Sequence, residues 1–344
     1  MASDSGHIRI AVDAMGGDHA PAHVIAGAVE ALRDTAGRFE VILVGPAATL
    51  SEPVGRALTA LPPSHRSRCT IVNATEVIGM EDSPNVALKA KRDSSITVGV
   101  TLHREGKADA FVSAGNTGAV LSASTLILGR VPGVGRPTIG TLFPTTSTPC
   151  LVLDAGANVD CRARHLFEFA VMGSIYMSSL FGTERPRVGL LSIGEEDMKG
   201  NETSLEALRL LRGGPLNFLG NIEGRDILNG KADVVVCDGF VGNIILKFGE
   251  SVPAFLKARF TAYARRNLWT ATVAAVARGG LRSVLKELDY QEHGGVPLLG
   301  VNGVSIIGHG GSSPRALKNM ILRAEEMVRH RVHQKIADAM LAAS

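Results

Sequence analysis

The feature that most constrains the fold is an alternation of short, β-branched apolar runs with segments of helical periodicity. A buried strand at 8–14 is followed by a helix at 21–35, whose first turn holds Pro21. Further strands are predicted at 39–45, 69–74, 108–115, 138–144, 150–156, 187–194, 216–222 and 232–239, with a hairpin at 296–310. Continuous apolar strands that alternate with helices predict an α/β fold with a mostly parallel, doubly wound sheet.

The predicted helices lie between these strands, and no clear linker divides the chain. They are expected at 83–106, 116–128, 162–182, 201–212, 240–289 and from Pro314 onward. The 344 residues show no internal repeat or low-complexity segment. We therefore expect two interwoven lobes around a cleft, because this length exceeds what one small core needs.

Charge and targeting signals exclude several classes of protein. The net charge of +3 is too small to argue for a nucleic-acid partner. The N-terminal segment has no signal-peptide pattern, and no window of about 20 residues is apolar enough to span a bilayer. The four cysteines form no Cys-x-x-Cys pair, which favours reduced thiols and a cytoplasmic protein.

Polar residues follow seven of the predicted strands. Ligands of parallel α/β sheets bind at the carboxyl ends of strands, so we expect these endings to converge on one cleft. In chain order the endings contain Asp13, Gly16, Gly17 and Asp18; Ser113, Gly115, Asn116 and Thr117; Asp154, Asn158 and Asp160; Glu195, Glu196, Asp197 and Lys199; Asn221 and Glu223; Asp238, Gly242 and Asn243; and His309, Ser312 and Ser313.

Each of these endings also has a structural interpretation. The glycine-rich turns at 113–118 and 238–243 can offer N–H groups to an anion, or can simply close a tight turn. Asp13, Asp154 and Asp238 can cap a helix or fix a turn as readily as they can transfer protons. The acids at 195–197 could bind Mg²⁺, but a solvated turn is favoured because Lys199 lies close by in sequence.

Several catalytic motifs are missing from the sequence. No G-x-G-x-x-G follows the first strand, and neither G-x-x-x-x-G-K-[ST] nor G-x-S-x-G occurs. H-E-x-x-H and zinc-type cysteine and histidine spacings are also missing. The lack of these motifs argues against a dinucleotide-binding Rossmann site, a P-loop nucleotide site, an α/β-hydrolase and a zinc enzyme.

Seven long motifs resemble the phosphate acyltransferase family. They occur in the family's order across residues 8–330: AVDAMGGDHAP (11–21), ADAFVSAGNTGA (108–119), LDAGANVDC (153–161), GLLSIGEEDMKGNE (189–202), NFLGNIEGRDI (217–227), ADVVVCDGFVGN (232–243) and PLLGVNGV to GHGGSS (297–313). The resemblance implies one catalytic domain over 8–335. It also implies an α/β/α sandwich like those of phosphotransacetylases and of the isocitrate and isopropylmalate dehydrogenases.

The activity implied by the resemblance is transfer of a long-chain fatty acyl group from acyl carrier protein to inorganic phosphate. Phosphate would attack the thioester directly, without an acyl-enzyme. The acyl phosphate would feed bacterial phospholipid synthesis through a membrane glycerol-3-phosphate acyltransferase. A homodimer without cofactor or metal is implied as well.

The match to KGNE and GFxGN assigns the principal catalytic residues. Lys199 would hold phosphate or the oxyanion, and Asn243 would donate to the oxyanion. His309 could protonate the leaving thiolate, and Asp13 and Asp18 are expected mainly to brace their loop. The residues expected around the substrates are Asp13, Gly16, Gly17, Ser113, Gly115, Asn116, Thr117, Asp154, Asn158, Asn221 and Asp238.

A basic amphipathic stretch at 250–289 is a separate feature. No acid lies between Glu250 and Glu287, and the chain's one tryptophan, Trp269, lies there. Such a stretch suits an anionic membrane surface or an acidic partner such as acyl carrier protein; dimer packing is the alternative, and the two can coexist. The basic residues are Lys257, Arg259, Arg265, Arg266, Arg278, Arg282 and Lys286, of which the first four are expected with Trp269 at the contact.

Three rival functions stay open. A decarboxylating dehydrogenase of related fold would need a nicotinamide site and a carboxylate–metal cluster, and neither is evident in the sequence. A phosphotransacetylase would use acyl-coenzyme A as the donor. A membrane-docked scaffold that couples fatty acid and phospholipid synthesis would bind membranes without transferring an acyl group.

Overall fold

The strands predicted from the sequence are present and form one mixed sheet. A computed structural model describes residues 7–146, 148–287 and 294–342, without the side chains of 281–287. In these ranges the sheet has 11 strands in the order β3-β2-β1-β4-β11-β10-β5-β6-β9-β7-β8. Their bounds are β1 Arg9–Asp13, β2 Glu40–Gly45, β3 Cys69–Asn73, β4 Ala110–Ser113, β5 Thr138–Phe143, β6 Cys150–Leu153, β7 Arg187–Leu191, β8 Asn217–Ile222, β9 Val234–Val236, β10 Val296–Leu299 and β11 Ser305–Ile307.

The predicted helical stretches are present, and the structure adds three helices that were not predicted. The stretch at 83–106 is two helices, and so is the stretch at 240–289, of which residues 288 and 289 lie outside the described residues. Helices α2, α3 and α9 were not predicted. The bounds are α1 Ala22–Asp34, α2 Ala47–Leu58, α3 Pro63–Arg66, α4 Pro84–Ala90, α5 Ser95–Arg104, α6 Thr117–Ala123, α7 Ala163–Phe181, α8 Glu202–Gly213, α9 Gly224–Asn229, α10 Gly239–Ala264, α11 Leu268–Glu287, α12 Pro314–Arg329 and α13 Val332–Ala342.

The side chains of β1 show how helices cover both faces of the sheet. Ile10 and Val12 pack in a core with side chains of α1, α7 and α12. Ala11, between them, packs in a second core with side chains of α5 and α6. This alternation has the period of two that a strand buried on both faces requires, and it confirms the predicted layered α/β architecture.

The sheet consists of two parallel sets of strands that run in opposite directions. One set is β3, β2, β1, β4 and β11, and the other is β6, β9, β7 and β8. Strands β10 and β5 lie between the sets and make antiparallel pairs with each other and with their other neighbours. The pair of β10 and β11 is the predicted hairpin.

The register on β5 determines where the two sets end. Leu153, the last residue of β6, pairs with Gly140 of β5. Ile307, the last residue of β11, pairs with Val296 of β10, and β10 reaches Ile139 of β5 two residues later. The carboxyl ends of the two opposed sets therefore meet within a few residues of each other, near the middle of the sheet.

Helices α10 and α11 pack against each other as a helical hairpin. Thr270 and Ala274 are buried, but most side chains between 254 and 280 are exposed. Leu268 and Trp269, at the turn between the helices, are 90% and 73% exposed. Within the described ranges, no helix combines the length and the apolar character needed to cross a membrane.

Candidate active site

A cavity of about 260 Å³ opens where the two sets of strands meet. Four of its lining residues belong to the segments that follow β4, β6, β9 and β11. These are Thr117, Gly156, Asn243 and His309, and Thr141 of β5 also lines the cavity. We call this the larger cavity. It is lined by residues that follow strands far apart in the chain.

The N-terminal turn of α10 brings Asn243 to the larger cavity. Asp238 caps this helix, its Oδ1 accepting a hydrogen bond of 2.8 Å from the backbone N–H of Val241. Gly242 lies so close to the turn after β6 that a Cβ on it would be 1.8 Å from the Asp154 carbonyl oxygen. Asn243 is exposed and faces Gly156, on which a Cβ would lie 3.3 Å from that of Asn243. Its amide is therefore accessible to a ligand.

Asp154 and Asn158 shape the turn after β6. The buried Asp154 carboxyl accepts hydrogen bonds from the backbone N–H groups of Gly156, Ala157 and Asn158 at 3.1, 3.0 and 2.7 Å. The Asn158 amide donates to Asp154 Oδ2 and to the Pro137 carbonyl oxygen, both at 2.7 Å. Burial raises the pKa of Asp154, and these hydrogen bonds oppose that rise. The pair holds the loop that presents Gly156.

Asp13 and Ser113 join the loops after β1 and β4. The Ser113 hydroxyl donates to Asp13 Oδ2 at 2.7 Å and accepts from the Gly115 N–H at 3.0 Å. Burial raises the pKa of Asp13, against hydrogen bonds that lower it. Gly16 lies against the same loop, and a Cβ on it would be 2.7 Å from the Gly115 nitrogen. A glycine is thus required for this close approach of two backbones.

The second glycine of this pair contacts the loop after β11. Gly17 has a φ of +102°, and a Cβ on it would be 2.9 Å from the Gly310 carbonyl oxygen. The Asp18 N–H donates to the same oxygen at 2.8 Å. Gly16 and Gly17 therefore let three loops pack together.

Asn116 braces a further loop and places Thr117. Its Nδ2 donates to the carbonyl oxygens of Gly79, Met80 and Asp82, at 3.2, 3.1 and 2.9 Å. Its Oδ1 accepts from a backbone N–H in the first turn of α6. Because these bonds fix the start of α6, Thr117 is held in the wall of the larger cavity.

His309 is exposed on the loop after β11. Its Nδ1 lies 3.1 Å from the Gly311 backbone nitrogen, which can only donate. In the neutral ring the proton is therefore on Nε2. Nε2 thus carries a proton in both the neutral ring and the imidazolium, and the imidazolium is the form that can protonate a leaving thiolate.

A smaller cavity of about 170 Å³ lies on the other flank of α10. Among its lining residues are Ser192, Gly200, Asn201, Asp238 and Val241. Lys199 is exposed and directly precedes Gly200 of this wall, but it lines neither the larger nor the smaller cavity.

Asn221 fixes the loop that contains Lys199. The Asn221 side chain is buried, and its Nδ2 donates to the carbonyl oxygens of Glu196 and Lys199 at 2.9 and 3.4 Å. The Ser192 hydroxyl donates to the same Lys199 oxygen at 3.2 Å. The main chain of Lys199 is therefore held while its side chain extends into solvent.

Two of the three acids at 195–197 form ion pairs on the surface, with partners other than Lys199. Asp197 pairs with Arg212, and Glu195 pairs with Lys231 at 2.7 Å. The hydrogen bond from Arg212 lowers the pKa of Asp197. In the part of the chain that the structure describes, no three histidine, cysteine, aspartate or glutamate side chains are grouped so that they could hold a metal ion.

The prediction that all seven polar endings converge on one cleft is wrong. Four endings reach the larger cavity, those after β7 and β9 reach the smaller one, and the described residues after β1 and β8 brace neighbouring loops. Helix α10, which begins after β9, contributes residues to both cavities and lies between them, so it separates the ending after β7 from those after β4, β6 and β11.

Three polar lining residues of the larger cavity were not predicted from the sequence. Thr141 could have been noticed as a polar residue inside an apolar strand. Lys247 and Glu250 line the larger cavity as an ion pair of 2.8 Å on α10. The sequence marked Lys247 only as part of a helical segment, and Glu250 only as the start of the basic stretch.

Solved structures with the same overall fold define the class of this protein. A phosphotransacetylase from Streptococcus pyogenes superimposes with a TM-score of 0.63 at 20% identity, over 94% of this chain and 95% of that one. The EutD phosphotransacetylase from Staphylococcus aureus gives 0.60 at 16% identity with the same coverage. The chain thus has the phosphotransacetylase type of α/β fold, as predicted.

Sequence comparisons narrow the class to a family. A family profile described as "Fatty acid synthesis protein" matches residues 8–335. The phosphate acyltransferase of Heliobacterium modesticaldum is 49% identical over 321 residues, which cover 93% of this chain and 94% of the relative. That of Moorella thermoacetica is 50% identical over 314 residues, covering 91% and 90%. The chain belongs to the phosphate acyltransferase family of transferases.

Proposed function

We propose that this enzyme transfers a long-chain fatty acyl group from acyl carrier protein to inorganic phosphate. Acyl transfer to phosphate follows from the family. The carrier as donor, the long chain and the use of the product by a membrane glycerol-3-phosphate acyltransferase are the proposal. The main support is one observation: the larger cavity brings Thr117, Asn243 and His309 together at the meeting point of the two strand sets.

The reaction needs two reactants held close together and donors for the negative charge that develops. Phosphate at neutral pH is partly a dianion and can attack the thioester carbon, whose C–S bond then breaks to release the carrier thiolate. Holding the phosphate at near-attack distance supplies much of the rate. The exposed amide of Asn243 can donate to the oxyanion. His309, in its imidazolium form, can pass the Nε2 proton to the thiolate and become neutral.

The substrates can be tested directly. Incubation of a long-chain acyl carrier protein thioester with phosphate is expected to release free thiol and acyl phosphate in equal amounts. Faster turnover of the matching acyl-coenzyme A would favour the phosphotransacetylase function instead. Vesicle binding without phosphate-dependent thiol release would favour the scaffold.

Lys199 is proposed as the cation that holds phosphate or the oxyanion. Its loop is anchored by Asn221 and leads into the wall shared with Asp238, which caps the helix of Asn243. Lys199→Ala is expected to lower turnover by roughly 10²-fold, as for loss of an oxyanion donor, with little change in stability because the side chain is exposed. Steady-state assays would measure the change.

The matched control for Lys199 is Lys107→Ala. Lys107 is exposed and pairs with Glu105. It precedes β4 and therefore lies at the amino end of that strand, away from the carboxyl ends where the cavities are. Its replacement should leave turnover within about twofold of the wild type. Near-wild-type turnover in the Lys199 variant would reject the assignment.

The α10–α11 hairpin is proposed to contact the membrane or the acidic carrier protein. Trp269, Leu268 and Phe255 are exposed, beside Arg265 and Arg266. Lys257 and Arg259 are exposed on the same hairpin, whereas the side chains of Arg282 and Lys286 lie outside the described residues. Exposed apolar groups beside cations suit an anionic lipid surface. Packing of this surface in a homodimer is compatible with the same contacts.

The membrane contact predicts the behaviour of a double variant. Leu268→Ser with Trp269→Ser is expected to weaken binding to vesicles of anionic lipid several-fold, because two exposed apolar side chains are removed from the hairpin turn. Co-sedimentation would measure the binding. Leu341→Ser, at a side chain 62% exposed on α13, is the control and should bind as the wild type does. Equal binding by the double variant would count against membrane contact.

A further inference from the structure

Strand β5 contains two threonine hydroxyls that are buried without a hydrogen-bond partner in the described part of the chain. They belong to Thr138 and Thr141, whose side chains are 0% and 7% exposed. Buried polar groups are almost always hydrogen-bonded, since an unpaired one costs about 1–3 kcal/mol. Each of these hydroxyls therefore calls for an explanation.

The positions of the two threonines differ in one important respect. Residues three apart on a strand point to opposite faces of the sheet. Thr141 lines the larger cavity with Thr117, Asn243 and His309, whereas Thr138 is not among the residues of its wall. Thr141 is thus a residue of the cavity wall whose hydroxyl is unpaired among the described residues, at the site where the proposed reactants would meet.

We infer that Thr141 is a substrate-contacting residue, whose hydroxyl donates a hydrogen bond to an oxygen of the reactants. This inference rests on the function proposed above. The acceptor is either a phosphate oxygen or the thioester carbonyl oxygen, and both are acceptors that a neutral hydroxyl can serve.

The location of β5 supports this role. Asn243 and Gly156 approach the larger cavity from the strand set that ends with β6, and Thr117 and His309 approach it from the opposite set. Strand β5 lies between the sets, so Thr141 sits between the two groups of loops. A donor at that point can fix one reactant relative to groups from both sides, which is the positioning that a bimolecular transfer needs.

Substitution by valine separates this role from a structural one. Valine has nearly the same shape as threonine but replaces the hydroxyl with a methyl group. Because the hydroxyl has no partner in the described chain, its removal is expected to leave stability unchanged or to increase it. A loss of activity without a loss of stability would therefore come from a missing contact with the reactants.

The experiment compares three variants of the full chain: Thr141→Val, Thr141→Ser and Thr138→Val. Turnover of acyl carrier protein thioester is measured against the concentrations of phosphate and of thioester, together with the thermal unfolding midpoint. Thr141→Val is expected to lose roughly tenfold or more in kcat/KM, the typical effect of one lost hydrogen bond. Thr141→Ser retains the donor and should recover most of the activity.

The kinetic pattern identifies the acceptor. A raised KM for phosphate with little change in kcat indicates a contact with phosphate. A lowered kcat with unchanged KM values indicates a contact with the carbonyl oxygen that strengthens as charge develops.

Two results would overturn the assignment. One is a Thr141→Val enzyme with wild-type kcat and KM values. The other is an equal loss in Thr138→Val, which would attribute the effect to β5 in general. In both cases the wild-type enzyme still makes acyl phosphate, whereas a wild type that releases no thiol with phosphate rejects the proposed function itself.

Discussion

Replacing Asn243 with alanine is expected to lower kcat by roughly 10²- to 10³-fold, the usual effect of removing an oxyanion donor. The amide is exposed at the larger cavity and close to Gly156, so its loss removes a group that can face the reacting carbonyl. Stability should change little, because an exposed side chain contributes few packing contacts. Steady-state kinetics and thermal unfolding of the same preparations measure both quantities.

Two companion variants sharpen this test. Asn243→Asp has nearly the same shape but replaces the donor with a carboxylate, which repels phosphate, so it should be at least as inactive as the alanine variant. Ser251→Ala, on an exposed position of the same helix, should retain wild-type turnover. An active Asn243→Asp enzyme would show that the amide is not a donor in the reaction.

Gly242→Ala is expected to inactivate the enzyme by displacing α10. A Cβ at this position would lie 1.8 Å from the Asp154 carbonyl oxygen, 2.9 Å from its carbonyl carbon and 3.2 Å from Cys237 Sγ. The first two atoms are backbone atoms that cannot rotate away. Overpacking of this kind costs about 3 kcal/mol or more and should lower the unfolding midpoint by roughly 5 °C or more. Activity should fall as well, since the displaced helix carries Asn243.

Gly279→Ala is the matched control on α11. Gly279 is exposed, and a Cβ there would have no atom within 4 Å. Alanine is favoured over glycine in a helix by about 0.5–1 kcal/mol, so this variant should be slightly more stable and fully active. A Gly242→Ala enzyme with the same midpoint and turnover as this control would contradict the close packing of α10 on the turn after β6.

The sequence predicted the strands well because they are buried on both faces. Runs such as 187–191 and 234–236 are continuous and apolar, and turn residues follow them. Helix α2 was not predicted, since Pro53 lies within it and only Leu50 and Val54 are buried. Helix α9 has 6 residues, which is too short for a periodic pattern to be recognised.

The reversal of strand direction could not be predicted in the same way. Hydrophobic periodicity indicates which faces of a strand are buried. The same pattern occurs whether the neighbouring strands are parallel or antiparallel. The hairpin at 296–310 was predicted, yet the insertion of β10 beside β5 depends on pairing between residues about 160 positions apart. Loop lengths and local propensity carry no information on such a pairing.

The candidate site was predicted in part. Polar endings of strands led to Thr117, Asn243 and His309, which the structure brings together. The same pattern included Asp13, Asn116, Asp154, Asn158 and Asn221, whose side chains hydrogen-bond to neighbouring loops. A side chain that binds a substrate and one that holds a loop have the same polarity in a sequence. Only the contacts distinguish them.

Helix α10 separates the candidate active site from the exposed turn of the α10–α11 hairpin. The helix begins beside Asn243 and continues to Ala264, next to the exposed turn with Leu268 and Trp269. At 1.5 Å per residue, the Asn243 amide stands about 30 Å from whatever that turn contacts. Under the proposed function, a long-chain product released at this amide would travel a distance equal to the thickness of a bilayer's hydrocarbon core before it reached such a surface. Its apolar tail would need shelter along that path, so the transfer of product would be a guided step and not simple release into water.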